Sequence, residues 1–258
     1  MVPRELIALM RLSFNEFVIP LKQDPYTNDP TIEKTIDHIG RVVENSRILA
    51  ESLDLSEDEK CLAEIAALFH DIGRLWVLLH NSSELNISDH AEASIEYLKS
   101  SDLFSQLDES TQRIVIQVIK NHNKPEIPQK EGDTILFYIK LLRDADKLDV
   151  WRATSDYITR KSGKPNMVND LDLSEKAVVT SSFCKIITDG GIPDKSDLVT
   201  INDFVIFQMS WVFDLHFKKS FQILNQKQYI RHLYDSLPKN DSVIEIYRMI
   251  RIYIENRI

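Results

Sequence analysis

A histidine and an aspartate stand side by side at His70-Asp71, at the end of a stretch that is apolar on nearly every helical side. In a dry environment such a pair is costly unless each group is satisfied, and a cation satisfies both. The plainer interpretation is a histidine that ends a helix beside a capping aspartate. His38 and Asp146 extend the set to two imidazoles and two carboxylates. These mixed nitrogen and oxygen ligands suit a borderline or hard divalent metal that keeps room for water.

Two of these residues lie inside long predicted helices. A 3.6-residue apolar period predicts a helix over 31–53, which contains His38, and another over 133–160, which contains Asp146. Asp144 is a rival to Asp146 on the same helix. The two carboxylates would lie about 200° apart around the axis, so one site cannot easily use both.

The helix that ends at His70-Asp71 is the most apolar in the chain. Ser56 followed by Glu59 predicts a capping box at its start. A helix that is apolar on nearly every side is expected to be central and buried. Gly73 is expected to let the chain turn sharply away and leave the pair at a helix end.

The rest of the chain also shows helical periodicity, without strand alternation or internal repeats. The predicted fold class is therefore all-α. The polar, turn-rich segment 161–173 is predicted to be a linker or loop. Further helices are predicted over 88–100, 110–121, 174–188, 200–223, 225–237 and 241–257.

The order of these residues resembles the HD-domain superfamily of metal-dependent phosphohydrolases. His38 is followed by His70-Asp71 in ALFHDIGR and by Asp146 in DADKLD, and the resemblance spans about residues 30–155. It implies a helical bundle in which His38, His70, Asp71 and Asp146 are metal ligands. The same context favours Asp146 over Asp144, which becomes a supporting or surface carboxylate. The implied domains are an HD-type domain over 1–160 and a helical extension over 161–258, packed on the core.

Two further histidines lie between the HD pair and the final aspartate. Members of the superfamily with two metals place additional histidines in this interval, which here contains His90 and His122. The resemblance then implies a dinuclear site with Asp71 as the bridge. Many two-metal relatives carry a histidine pair where this chain has His122-Asn123, so one metal and two metals both stay open. The residues do not choose among Mn, Fe, Ni, Zn, Co and Mg.

The implied reaction is hydrolysis of a phosphate ester by water that the metal activates near Asp71. Arg74 is the expected catalytic and substrate-binding cation, because relatives carry Lys or Arg at that place, and Lys147 is the second candidate. Lys140 and Arg143 are expected to form a solvated basic stripe. The substrate would be a nucleotide or a related small phosphorylated molecule.

Three alternatives differ in class from this interpretation. Some HD-fold proteins hold two irons in a similar ligand set and act as oxygenases. A second possibility is a non-catalytic module that binds a nucleotide. A third is a helical interaction protein whose histidines only pack in its core.

Bulk composition restricts partners and location. The net charge of −9 and the pI near 5.3 argue against nucleic acid and membrane surfaces as partners. Two distant cysteines, Cys61 and Cys184, favour a reducing compartment. With neither a signal-peptide pattern nor a window of about 20 apolar residues, the expected location is cytoplasmic.

Residues 174–258 match no motif, and they are expected to cover the site, form a homodimer surface, or both. His80 is expected in a loop, and His216 and His232 are expected to pack or lie at the surface. Four aromatic residues there could form a stacking wall for a base, although core packing is the commoner role: Phe183, Trp211, Phe213 and Phe217.

Overall fold

The computed structural model describes residues 4–23, 30–79, 89–160, 173–174 and 178–258. These residues are mainly helical, and the one β pairing among them is an isolated parallel bridge between Ser174 and Thr200. The all-α prediction is confirmed. The helices are α1 (Arg4–Gln23), α2 (Pro30–Ser52), α3 (Glu57–Phe69), α4 (Ile72–Leu79), α5 (His90–Lys99), α6 (Glu109–Asn121), α7 (Asp133–Arg160), α8 (Ser181–Thr188), α9 (Ile201–Ser210), α10 (Lys218–Gln226), α11 (Tyr229–Ser236) and α12 (Asp241–Glu255), with short 3₁₀ segments at Phe104–Gln106, Lys195–Asp197 and Trp211–Asp214.

The chain divides into two compact units, Met1–Asp146 and Lys147–Ile258. The division falls inside α7, so this helix begins in the first unit and ends in the second. The domain boundary expected after residue 160 lies at the end of the same helix and stays a prediction. No helix among the described residues is long and apolar enough to cross a membrane.

In the first unit, α3 is the central helix, as its composition predicts. It packs against α1, α2 and α6, and every residue from Ile65 to Phe69 is buried. The predicted capping box is present at its start. The Ser56 hydroxyl accepts from the Glu59 amide, and the Glu59 carboxylate accepts from the Ser56 amide at 2.8 Å.

Gly73 has a different role from the one expected. The chain does not turn sharply there, because α4 begins at Ile72 and contains Gly73. A Cβ atom on Gly73 would lie 2.3 Å from the carbonyl oxygen of His90 and 2.4 Å from the amide nitrogen of Ser94. The glycine is therefore needed because α4 and α5 approach closely. The Ser94 hydroxyl joins them, accepting from the Gly73 amide at 2.9 Å and donating to the His70 carbonyl at 2.8 Å.

The second unit has its own core around Trp151, whose indole N–H donates to the Gln208 carbonyl at 2.9 Å. The single helix expected over 200–223 is wrong. Helix α9 ends at Ser210, a 3₁₀ turn follows, and α10 begins at Lys218. The break lets the rings of Phe213 and Phe221 both contact Tyr253, at centroid distances of 4.9 and 6.1 Å. On one straight helix these two residues would be about 12 Å apart along the axis.

The helix expected over 174–188 begins only at Ser181. Thr180, the residue before this helix, forms hydrogen bonds outside it. The Asp203 carboxylate accepts from the amide and the hydroxyl of Thr180, at 2.7 and 2.8 Å. Phe183 is buried, and Trp211 and Phe213 pack against the core of this unit, so core packing is the role the structure gives them. Most of the expected linker, residues 161–172, lies outside the described residues.

Candidate metal centre

Three ligand atoms from three helices meet in the first unit. His38 projects from the interior of α2, His70 follows the last residue of α3, and Asp146 lies within α7. The Nε2 atom of His38 lies 3.3 Å from Nε2 of His70 and 3.3 Å from Oδ1 of Asp146. Such a group can hold a metal ion. We call it the first position.

A second group lies on the other side of Asp71. His90 is the first residue of α5, and His122 caps the C-terminus of α6. Their Nε2 atoms are 3.4 Å apart, and they lie 3.2 and 3.7 Å from Oδ1 of Asp71. We call His90, His122 and this oxygen the second position.

Asp71 is shared between the two positions. Its Oδ2 atom lies 3.7 Å from Nε2 of His38 and 3.9 Å from Nε2 of His70, whereas Oδ1 faces the second position. The six predicted ligands thus form one cluster in which Asp71 has the placement of a bridging carboxylate.

Backbone carbonyls set the protonation of two of the imidazoles. Nδ1 of His70 lies 2.8 Å from the Ala67 carbonyl oxygen, and Nδ1 of His122 lies 2.7 Å from that of Ile119. A carbonyl oxygen only accepts, so each Nδ1 carries the proton and each Nε2 presents a lone pair to the cluster. This arrangement orients a histidine as a metal ligand.

Burial keeps His70 and His90 neutral, whereas neighbouring groups keep Asp71 and Asp146 charged. Removal from water lowers the pKa of His70 and of His90 to about 4. Burial opposes the ionisation of Asp71, but nearby His70 and Arg74 outweigh it and hold its pKa well below the usual range. Burial also opposes the ionisation of Asp146, where the hydrogen bond with His38 contributes most to lowering the pKa.

One buried atom shows directly that the donor set fits a cation. Oδ1 of Asp71 is buried and accepts no hydrogen bond within the described part of the chain. It faces imidazole nitrogens at the second position. Of these, Nε2 of His122 is unprotonated and carries a lone pair. Electron pairs brought together in a dry site repel one another, and a divalent cation among them removes the repulsion. Two imidazoles with carboxylate oxygens are an ordinary donor set for such an ion.

Arg74 lies at the edge of the cluster. Its Nε donates to Oδ2 of Asp71 at 2.6 Å, and its Nη2 lies 3.2 Å from Nε2 of His90. The side chain remains 49% exposed, so Arg74 lies at the surface of the cluster. Lys147 forms an ion pair with Asp214, with 2.6 Å between Nζ and Oδ2.

Arg143 is a residue whose role the sequence did not indicate. It is buried rather than part of a solvated stripe, and its guanidinium donates to the carbonyl oxygens of Asn121 and His122 at 3.2 Å each. It therefore holds the C-terminal end of α6, from which His122 projects. No sequence signal marks this role, because the burial of Arg143 results from packing.

The remaining candidates lie outside the cluster. Asp144 is fully buried, so the surface alternative for it is wrong. Nε2 of His216 lies 3.6 Å from Oδ1 of Asp214, and Nδ1 of His232 lies 2.5 Å from the hydroxyl of Ser155. His80 is not among the described residues.

Comparison with known proteins agrees with this geometry. The model of the HD domain family matches residues 35–151, a segment that contains all six clustered side chains. Neither the search of curated proteins nor the search of solved structures returned a match. The six side chains that converge in the structure all lie within this match, so residues 35–151 are similar to the HD domain family.

Proposed function

We propose that this chain is a metal-dependent phosphohydrolase that cleaves the phosphate ester of a nucleotide or a related small molecule, with water as the nucleophile. The observation that carries the proposal is Oδ1 of Asp71. This oxygen is buried, accepts no hydrogen bond within the described part of the chain, and faces the Nε2 atoms of His90 and His122. His38, His70 and Asp146 would hold one divalent ion, His90 and His122 a second, with Asp71 between them. When bound, such ions lower the pKa of a coordinated water and polarise a phosphoryl oxygen.

Asp71 would position the water. The Arg74 guanidinium helps to keep its charge, so it accepts a hydrogen bond from the attacking water and does not protonate the leaving group. Attack forms the bond from the water oxygen to phosphorus and breaks the bond to the ester oxygen. The water gives up a proton to solvent, and the ester oxygen takes a proton from solvent and leaves as the alcohol. The buried walls around His70 keep bulk solvent away from this carboxylate.

Arg74 would bind the non-bridging phosphate oxygens. Two of its nitrogens are used by Asp71 and His90, while Nη1 has no protein partner among the described residues. A guanidinium on a half-exposed side chain, with a donor to spare, can hold a phosphoryl oxygen and stabilise the charge that develops. Lys147 remains the second candidate, and its use would require the ion pair with Asp214 to open.

The deciding experiment measures metal content and hydrolysis together. The protein is purified without added metal, its metals are quantified, and hydrolysis of p-nitrophenyl phosphate is followed with Mn²⁺. The double variant His70→Ala, Asp71→Ala should lose both metal and activity. His216→Ala is the matched control, because that histidine also lies near an aspartate but in the second unit, and it should keep both.

Each alternative has its own outcome. Two irons with oxygen consumption and no ester hydrolysis would replace the proposal with an oxygenase. Bound metal without turnover of any phosphate ester, but with nucleotide binding, would indicate a non-catalytic module. A protein that binds no metal after reconstitution would overturn the proposal and leave only a helical scaffold.

A further inference from the structure

We propose that Arg74 competes with the second metal ion, so that the two positions fill in sequence and the second is governed by this guanidinium. The inference rests on the proposed function and concerns its regulation. Arg74 occupies the edge of the second position, where its Nη2 lies 3.2 Å from Nε2 of His90.

The competition follows from the single lone pair on Nε2 of His90. An arginine guanidinium only donates, so in this contact the imidazole nitrogen accepts. One ring nitrogen directs its lone pair either at a hydrogen-bond donor or at a metal ion. A second ion can therefore use His90 only after Nη2 of Arg74 has moved away.

Charge strengthens the competition. The guanidinium also binds Oδ2 of Asp71 at 2.6 Å, so a positive charge already lies beside the carboxylate that the second ion would share. A second divalent ion must either displace this charge or be repelled by it. In the absence of the ion, Arg74 supplies part of the positive charge that the ion would bring.

The first position is better equipped than the second. It has a carboxylate of its own, Asp146, in addition to His38, His70 and the shared Asp71. The second position has two imidazoles and only the shared carboxylate. The first ion should therefore bind more tightly, since more negative charge faces it.

Asn123 further weakens metal binding at the second position relative to the first. Its Nδ2 donates to Oδ1 of Asp89 at 2.9 Å and lies 3.4 Å from Nε2 of His90. Asp89 holds it in this orientation, so the amide presents a donor, not an acceptor, to the second position. Arg74 and Asn123 thus present hydrogen-bond donors to His90, where a metal ion would need a ligand atom with a lone pair.

The geometry also links the second ion to the substrate. If Arg74 turns toward a phosphate oxygen, His90 and Asp71 are released at the same moment. Binding of a phosphate and binding of the second ion should then favour one another, as reciprocal linkage requires.

The test is a Mn²⁺ titration of the full chain and of the variants Arg74→Met and Arg74→Lys. Bound ion is measured by equilibrium dialysis with elemental analysis, and the paired ion by its exchange-coupled electron paramagnetic resonance spectrum. The wild type should bind one ion tightly and a second one more weakly. Arg74→Met should strengthen the second step about tenfold or more, which corresponds to about 1.4 kcal/mol, and the first step less. The affinity of Arg74→Lys for the second ion should lie between those of the wild type and Arg74→Met, because lysine keeps the positive charge but lacks the planar guanidinium that contacts two groups at once.

Control variants distinguish competition by Arg74 from metal binding itself. Arg251→Met removes a comparable exposed arginine that pairs with Glu255, and it should leave both steps unchanged. His90→Ala should abolish only the second step. An unchanged or weakened second step in Arg74→Met, with the first ion still bound, would overturn this inference alone. A wild type that binds no ion at all would overturn the proposed function as well.

Discussion

At the scale of single residues, the protonation of the imidazoles matters as much as their position. The carbonyl oxygens of Ala67 and Ile119 accept hydrogen bonds from Nδ1 of His70 and His122. The Nε2 atom of each ring therefore directs its lone pair into the cluster. The resemblance to the HD-domain superfamily implied the six clustered residues, because their types and order match its pattern. It could not indicate the two carbonyls or the buried guanidinium of Arg143, because backbone direction and side-chain burial emerge only from packing.

The two aspartates of α7 should separate function from stability. Asp146→Asn removes charge and electron density from the first position and should weaken metal binding by about tenfold or more. Asp144→Asn alters a fully buried carboxylate outside the cluster, so it should lower the free energy of unfolding by about 1–3 kcal/mol and retain the metal. Metal content after dialysis and urea unfolding measure the two effects. Retention of metal by Asp146→Asn and its loss from Asp144→Asn would reverse the assignment.

At the scale of elements, the site depends on how closely α4 and α5 approach. Helix α5 delivers His90, and the contact between the two helices passes through the Gly73 position and the hydroxyl of Ser94. Any increase in the separation of α4 and α5 displaces His90 from Asp71. The distance between these helices is thus a determinant of the second position.

Gly73→Ala should test this dependence. The new Cβ would meet backbone atoms of His90 and Ser94 that cannot move independently, so we expect a loss of about 1–3 kcal/mol in the free energy of unfolding and loss of the second ion. Gly40→Ala is the matched control. It lies exposed in α2 with no atom within 4 Å of its Cβ, and it should stabilise the protein by about 0.4–1 kcal/mol. Equal effects of the two substitutions would refute the close-approach argument.

Helix existence was easier to predict than helix ends. Helix α7 has the predicted bounds, because a long apolar period is a strong local signal. Helix α1 was not predicted, although Leu6, Met10 and Phe14 recur at four-residue spacing and are buried. The break after Ser210 was also missed, because it is fixed by the contacts of Phe213 and Phe221 with Tyr253, which lies far away in sequence.

At the scale of the whole molecule, all six clustered side chains belong to the unit Met1–Asp146. A ligand that binds only the folded state stabilises it by mass action, by about 2.7 kcal/mol at a concentration 100 times the dissociation constant. Metal binding should therefore raise the unfolding temperature of the protein.

Scanning calorimetry with Mn²⁺ and with a chelator should show this shift. We expect the transition to move upward with Mn²⁺ and downward when the chelator is added. The Asp146→Asn variant should show a smaller difference between the two conditions, because its first position lacks one charged ligand. A variant that shifts as much as the wild type would mean that the ion binds somewhere else in the chain.

The donor set itself has a consequence for how the protein acquires its metal in a cell. Imidazole nitrogens and carboxylate oxygens accept most first-row divalent ions, whose affinities then follow their intrinsic order and not the preference of the scaffold. The ion found in a purified sample will report which metal the host supplied during synthesis. The same polypeptide expressed in a manganese-rich and in a zinc-rich medium is then expected to emerge as two different metalloproteins.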